Sequence, residues 1–147
     1  MTDDRLYPER PFVGVGVAVL RGSDVLLIRR AKPPVSDRWS IPGGAQEIGE
    51  TVREAALREV AEETGLAVEI VGLVDVVDGI TRDAEGRARY HYTLVDFAAR
   101  WVSGEARAGS DAAAVRWVGR DALAAIPMWD ETRRIVAAAA EMVAGAR

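Results

Sequence analysis

One amphipathic helix, which begins at Thr51 and ends before Gly65, most constrains how this chain folds. Thr51 and Glu54 have the spacing of a capping box, which closes the N-terminal end of a helix. Gly65 is the residue type that ends a helix in a left-handed conformation. The apolar residues between them recur every four positions and form one stripe: Val52, Ala56 and Val60. We therefore predict a helix over 51–64 that packs its stripe against another element.

Most of the remaining regular segments have the composition and alternation of strands. The predicted strands are Phe12–Leu20, Val25–Arg30, Leu66–Ile80, Tyr90–Val102 and Val115–Val118. A second amphipathic helix is predicted over Asp130–Ala144. Strands combined with two helices far apart in the chain suggest an α/β fold, with a sheet that is covered on both faces. We expect one domain over 1–147, in which residues 1–10 form an N-terminal arm.

The composition excludes several kinds of site. Apolar residues make up 49% of the chain and charged residues 29%, as in ordinary globular proteins. The absence of cysteine excludes disulfides, a cysteine nucleophile and thiolate metal sites. The single histidine, His91, excludes any site that needs two imidazoles. Chemistry that uses a hard metal ion on carboxylates remains open.

Charge and hydropathy indicate the kinds of partner. The net charge is −4 and no basic stripe is present, which gives no support for nucleic-acid binding. The longest nearly apolar stretch, Phe12–Leu20, is about half of a membrane span. Residues 1–10 lack the apolar segment of a signal peptide. We expect a cytoplasmic protein that binds neither nucleic acid nor a membrane.

Three glutamates crowd the last turns of the predicted helix. Glu59 and Glu63 are four positions apart, so their carboxylates share one helix face, and Glu62 lies beside them. Like charges at this spacing destabilise a helix by about 0.2–0.5 kcal/mol per pair, and the helix dipole favours cations at this end. A divalent cation with oxygen ligands would relieve the repulsion. The alternative for three glutamates alone is a solvated acidic face.

The wider spacing around these glutamates resembles a known motif. The pattern is G-x5-E-x7-R-E-U-x-E-E-x-G-U, with U an aliphatic residue, and it is matched at Gly44, Glu50, Arg58, Glu59, Val60, Glu62, Glu63, Gly65 and Leu66. This pattern is the Nudix box, and the chain resembles a Nudix hydrolase over nearly its whole length. The resemblance implies an α/β/α sandwich with a central mixed sheet. It also implies hydrolysis of a nucleoside diphosphate that is linked to another group X.

The resemblance further implies a metal site. Glu59, Glu62 and Glu63 would bind Mg²⁺ or Mn²⁺, and the carbonyl of Gly43 could supply another oxygen ligand. Arg58 would orient the glutamates by ion pairing, with an ordinary surface arginine as the alternative. We expect the carboxylates of Glu59 and Glu63 to be exposed to the site rather than packed.

Other residues are candidates for contact with the reacting groups. Glu59 or Asp111 would act as general base towards a water molecule, with a loop-capping aspartate as the alternative for Asp111. Arg30 matches a phosphate-contacting position in similar family members, and exposure at the surface is the alternative. Because neighbouring strand residues point to opposite faces, Arg29 should not face the same site as Arg30. Trp129, at the start of the last helix, is a candidate for the rim of a pocket.

Two stretches outside the box resemble the small ADP-ribose pyrophosphatase-like branch: Tyr90–Phe97 and Ala108–Ala112. We therefore predict metal-dependent hydrolysis of ADP-ribose or a related nucleotide sugar, with a small nucleoside diphosphate derivative as the partner. One alternative is a house-cleaning pyrophosphohydrolase of nucleoside triphosphates. Another is a non-catalytic, nucleotide-sensing module, against which the complete box argues. Similar enzymes are often homodimers.

Overall fold

A computed structural model describes residues 5–30, 37–109 and 112–146. Its elements in chain order are β1 (Phe12–Arg21), β2 (Asp24–Arg30), β3 (Gly43–Ala45), α1 (Val52–Thr64), β4 (Ala67–Arg82), β5 (Ala88–Ser103), β6 (Ala112–Gly119) and α2 (Asp130–Gly145). A 3₁₀ helix over Arg120–Ala125 connects β6 to α2. Within the described ranges, no helix is long and apolar enough to cross a lipid bilayer.

A mixed six-stranded sheet forms the centre of the fold, in the order β4-β5-β1-β2-β6 with β3 paired to β1. β1 and β5 run parallel, from Phe12 opposite Tyr92 to Leu20 opposite Arg100. The other strand pairs are antiparallel. The prediction of an α/β fold with a mixed sheet is confirmed.

The two helices cover opposite faces of this sheet. Alternate residues of a strand point to opposite faces, so β1 contributes to two separate cores. Val17 and Val19 pack in the core that contains Val60 of α1. Ala18 and Leu20 pack in the other core, which α2 closes with Ile135, Val136, Ala139 and Ala140.

The ends of α1 follow the sequence pattern. Thr51 Oγ1 accepts a hydrogen bond from the Glu54 N–H at 3.1 Å, and Glu54 Oε1 accepts one from the Thr51 N–H at 2.9 Å. Gly65 ends the helix in the left-handed region with φ of +75°. The predicted capping box and glycine stop are therefore confirmed, and they fix which turn of the helix carries the glutamates.

The short strand β3 is the element that the sequence pattern does not indicate, because its three residues carry almost no side chain. A Cβ on Gly43 would collide with the carbonyl oxygen of Val15 in β1. A Cβ on Gly44 would lie 2.6 Å from the carboxylate of Glu59 in α1. Glycine at both positions thus allows β3 to approach β1 and α1 at the same time.

One carboxylate, that of Asp96 in β5, lies buried in the sheet. Its side chain covers Gly16 of β1 so closely that a Cβ on Gly16 would collide with Oδ1. Burial raises the pKa of Asp96 from the ordinary 3.8 to about 6. The nearby Arg134 opposes this rise, while the negative charges of Asp75 and Glu131 add to it.

We expect Asp96→Asn to raise the free energy of unfolding at pH 7 by roughly 1–3 kcal/mol, because one pKa unit corresponds to about 1.4 kcal/mol. The pKa of Asp96 is higher in the folded than in the unfolded chain. The cost of its charge is therefore small near pH 4 and grows as the pH rises through 6. Denaturant unfolding of both proteins at the two pH values measures this. Equal differences at both pH values would contradict it, and Asp78→Asn on the exposed side of β4 is the control.

Candidate active site

Arg58 of α1 holds the acidic residues of the site together. Its guanidinium donates to both carboxylate oxygens of Glu50, at 2.6 and 2.9 Å. It also donates to Glu59 at 2.8 Å, to Glu62 at 3.3 Å and to the carbonyl of Ala45 at 3.1 Å. The hydrogen bond from Arg58 is the main cause that lowers the pKa of Glu50 to about 2. The structure therefore contains the ion pairing that was expected of Arg58.

Glu63 lies where α1, β2 and β3 meet. Its Oε1 accepts a hydrogen bond from the Gly43 N–H at 2.8 Å. Its Oε2 lies 3.8 Å from Nη1 of Arg30 and has no hydrogen-bond partner among the described residues. Burial raises the pKa of Glu63 to about 7; Arg30 and the Gly43 N–H oppose this rise, and Glu59 adds to it. The effect of Glu59 indicates that these two carboxylates are close together.

The glutamates are less exposed than their positions on the helix predict. Glu63 is only 2% exposed, and the side chain of Glu59 is 14% exposed. Glu62 differs, since 49% of its side chain is exposed. The expectation that Glu59 and Glu63 are exposed is wrong because β3 covers this end of α1. The burial could not be predicted from the sequence, because the Gly-Gly-Ala segment of β3 has no side-chain pattern that indicates a strand.

Arg30 lies at the boundary between these acids and a cavity. Its Nη2 donates to the carbonyl of Gly43 at 3.3 Å, and nearly half of its side chain is exposed. The guanidinium of the preceding Arg29 lies over the ring of Trp39, 5.5 Å from the centroid. The two arginines therefore have different surroundings, at a point where the pairing of β2 with β6 shifts register.

The cavity beside Arg30 has a volume of about 450 Å³. Its lining residues are Arg30, Arg38, Trp39, Ser40, Tyr92, Trp129 and Thr132. Aromatic rings and guanidinium groups are suited to planar rings and to phosphate, respectively. The sequence indicated Trp129 but missed Trp39 and Tyr92, because these come from separate parts of the chain that meet only in the fold.

Asp111 lies outside the described residues, so its proposed part as a general base stays a prediction. The loop that precedes Asp111 is hydrogen-bonded to the backbone at the C-terminal end of α1. The Gly109 N–H donates to the backbone carbonyl of Glu63 at 3.0 Å, and the Arg107 N–H donates to that of Thr64 at 3.0 Å.

Most of the acidic side chains in the site accept hydrogen bonds from other groups of the protein. Among the described residues, no three acidic or histidine side chains converge in the arrangement of a metal centre. One observation nevertheless fits a cation: in the described part of the chain, the buried Oε2 of Glu63 has no hydrogen-bond partner, and the Arg30 guanidinium lies as far as 3.8 Å from it. A buried charge of this kind is costly without a counter-ion, and oxygen ligands are those that hard divalent ions prefer. Glu63, the adjacent Glu59 and the carbonyl of Gly43 therefore provide suitable donors.

The chain is similar to curated proteins along much of its length. An ADP-ribose pyrophosphatase of Methanocaldococcus jannaschii is 38% identical over 108 residues, which cover 74% of this chain and 61% of the relative. A putative 8-oxo-dGTP diphosphatase 2 of Mycobacterium tuberculosis is 39% identical over 106 residues, which cover 71% of this chain and 70% of the relative. The chain thus spans about three fifths of the archaeal relative.

A solved structure and a family model also match this chain. The crystal structure of a MutT NUDIX hydrolase from Burkholderia pseudomallei superposes with a TM-score of 0.73 at 33% identity, over 88% of this chain and 98% of that one. The model of the NUDIX domain matches residues 10–139, which include β3, α1 and the glutamates that Arg58 holds. The chain therefore belongs to the Nudix hydrolase family.

Proposed function

We propose that this protein hydrolyses a nucleoside diphosphate linked to another group, with ADP-ribose or a related nucleotide sugar as the substrate. The observation that carries the proposal is the position of Arg30, which touches the acid site and also lines the aromatic cavity. A diphosphate at Arg30 would place its charge beside the acids and its nucleoside in the cavity. The archaeal relative named ADP-ribose pyrophosphatase supports this choice of substrate.

The proposed cofactor is Mg²⁺ or Mn²⁺, held by Glu59, Glu62, Glu63 and the carbonyl of Gly43. Such an ion, when bound, neutralises phosphate charge, polarises the phosphoryl group and lowers the pKa of a water molecule. Arg58 fixes the Glu59 and Glu62 carboxylates through its hydrogen bonds. Without that guanidinium, the repulsion between neighbouring carboxylates would spread them apart.

The reaction also needs contacts to the substrate and an acceptor for a proton. Arg30 would donate charge-assisted hydrogen bonds to the diphosphate, which are stronger than those between neutral groups. Its present contacts, at 3.3 and 3.8 Å, are long enough to be exchanged for phosphate oxygens. Glu59 or Asp111 would take the proton from the attacking water. The aromatic rings of the cavity would stack on the nucleobase.

A second candidate function is hydrolysis of nucleoside triphosphates to monophosphates. The mycobacterial relative named as a putative 8-oxo-dGTP diphosphatase favours it. That relative is 39% identical to this chain, and the archaeal relative is 38% identical. Both reactions would use the same acids, so the substrates themselves must be compared. The complete set of box residues argues against a non-catalytic module.

A panel of substrates tests the proposed function directly. We expect ADP-ribose with Mg²⁺ to give AMP and ribose 5-phosphate, and Glu59→Gln or Glu63→Gln to lower kcat by at least ~100-fold. Glu85→Gln, on the exposed hairpin turn, is the matched control. The measurement is kcat/KM for ADP-ribose, other nucleotide sugars, dinucleoside polyphosphates and nucleoside triphosphates. A hundredfold preference for a nucleoside triphosphate would replace the first function by the second.

Binding of the metal should be visible without turnover. We expect Mg²⁺ or Mn²⁺ to raise the Tm of the wild-type protein, since a ligand at a hundred times its Kd stabilises the folded state by about 2.7 kcal/mol. The double variant Glu59→Gln/Glu63→Gln should show little of this shift. Thermal unfolding with metal and with chelator measures both. An equal shift in the two proteins would place the ion elsewhere.

Arg30 and its neighbour form a matched pair for testing diphosphate binding. We expect Arg30→Ala to lower kcat/KM by a factor that corresponds to about 1.5–3 kcal/mol, the range for a hydrogen bond to a charged group. Arg29→Ala should have a much smaller effect, because Arg29 is not among the residues that line the cavity. Steady-state kinetics on the preferred substrate measures both variants. Similar losses in the two would show that the effect is not specific to the position of Arg30.

A further inference from the structure

Two exposed arginines, Arg29 of β2 and Arg116 of β6, lie over the ring of Trp39. The guanidinium carbon of each arginine is 5.5 Å from the centroid of that ring. Trp39 is also one of the residues that line the aromatic cavity beside Arg30. The same ring thus contacts the two guanidinium groups and borders the cavity.

The pairing of the strands places these side chains on one face of the sheet. Leu27 packs in the core that α2 closes, and Arg29 follows it by two positions, so both side chains point to that face. Arg116 lies opposite Leu27 in the pairing of β2 with β6, and opposite residues share a face. Trp39 packs against the same core, and Thr132 of α2 lines the cavity. The two guanidinium groups, the ring and the cavity therefore lie on the same side of the sheet.

The charge of this arginine pair is not balanced by carboxylates. In the part of the chain that the structure describes, no acidic side chain forms an ion pair or a hydrogen bond with Arg29 or Arg116. Cation–π attraction to Trp39 holds the two guanidinium groups in place but does not remove their charge. A guanidinium carries five N–H donors, so this exposed pair offers donors and positive charge to an anion from the solvent.

We propose that Arg29 and Arg116 bind a second phosphate group, which is carried by the ribose of the nucleotide in the aromatic cavity. The inference rests on the proposed function, which puts the diphosphate at Arg30 and the base in the cavity. The ribose joins these two parts, so a phosphate on its 2′ or 3′ hydroxyl would lie between Arg30 and Trp39, the two residues that Arg29 adjoins. Guanidinium groups match phosphate oxygens through paired, charge-assisted hydrogen bonds.

The substrate class is then a nucleoside diphosphate derivative that is phosphorylated on its ribose. ADP-ribose lacks this phosphate, so its hydrolysis does not report on the arginine pair. The small effect expected of Arg29→Ala applies to such substrates. The matched substrate that carries the additional group is 2′-phospho-ADP-ribose, which differs from ADP-ribose only by that phosphate.

A purely structural explanation of the arginines leads to a different expectation. β6 is a strand at the edge of the sheet, and charged side chains on an edge strand hinder its pairing with another chain. If Arg116 served only this purpose and Arg29 only packed on Trp39, their replacement would change association or stability. It would not change how much a second phosphate adds to the affinity for a nucleotide. Binding measurements therefore separate the two explanations.

Calorimetric titration of the full chain with AMP, adenosine 2′,5′-bisphosphate and adenosine 3′,5′-bisphosphate tests the proposal. None of these probes contains a diphosphate bond, so Mg²⁺ can be present without turnover. We expect one bisphosphate to bind the wild-type protein at least ~tenfold more tightly than AMP, and its identity shows which ribose phosphate is recognised. Arg29→Gln and Arg116→Gln should each lower this ratio to less than about threefold. Arg120→Gln, an exposed arginine beyond the opposite end of β6, should keep the wild-type ratio.

Equal affinities of the wild-type protein for AMP and both bisphosphates would overturn the proposal, and so would a ratio that neither substitution alters. Both arginines are exposed, so their replacement should leave the fold intact, which circular dichroism checks. If none of the three nucleotides binds, the proposed function and this inference fail together. If the bisphosphate binds as expected but neither ADP-ribose nor 2′-phospho-ADP-ribose is hydrolysed, the proposed function fails while the phosphate site stands.

Discussion

The close packing of Gly43 and Gly44 between β1 and α1 is the constraint on which the acid site depends. Since neither residue has a Cβ, the backbone of β3 reaches the glutamates directly, and the Gly43 N–H donates to Glu63. The same approach removes water from Glu63 and raises its pKa to about 7, chiefly by burial. Charges interact more strongly where water is excluded. A strand made of glycine thus sets the electrostatics of the neighbouring helix.

Arg58 divides the acids into two groups. Glu50, Glu59 and Glu62 share its guanidinium, which offsets their mutual repulsion without any ion. Among the residues that the structure describes, Glu63 forms no ion pair with Arg58, and its ion-pair partner is Arg30 at 3.8 Å. A buried carboxylate with so distant a partner is only partly compensated. The acid that most needs a counter-ion is consequently the one that lies against the backbone of β3.

The sequence predicted those features that repeat locally. The capping box, the glycine stop and the apolar stripe of α1 depend on residues a few positions apart, as does the alternation of the strands. Features that depend on contacts between distant segments were missed. β3 has no side-chain pattern, so neither the strand nor the burial of Glu63 could be inferred from it. The aromatic cavity combines Trp39, Tyr92 and Trp129, whose meeting depends on the sheet order.

The parallel pairing of β1 with β5 has a consequence for how the protein folds. It joins Phe12 to Tyr92, about 80 positions apart, whereas β1, β2, β3 and α1 follow one another closely along the chain. Closing so long a loop costs conformational entropy before the stabilising contacts between the strands have formed. This cost slows folding. Arg30, Gly43 and the glutamates belong to the local segment, while Tyr92 and Trp129 require the long-range closure. The acids and Trp39 thus come from one local segment, whereas the aromatic cavity is complete only after the centre of the sheet has formed.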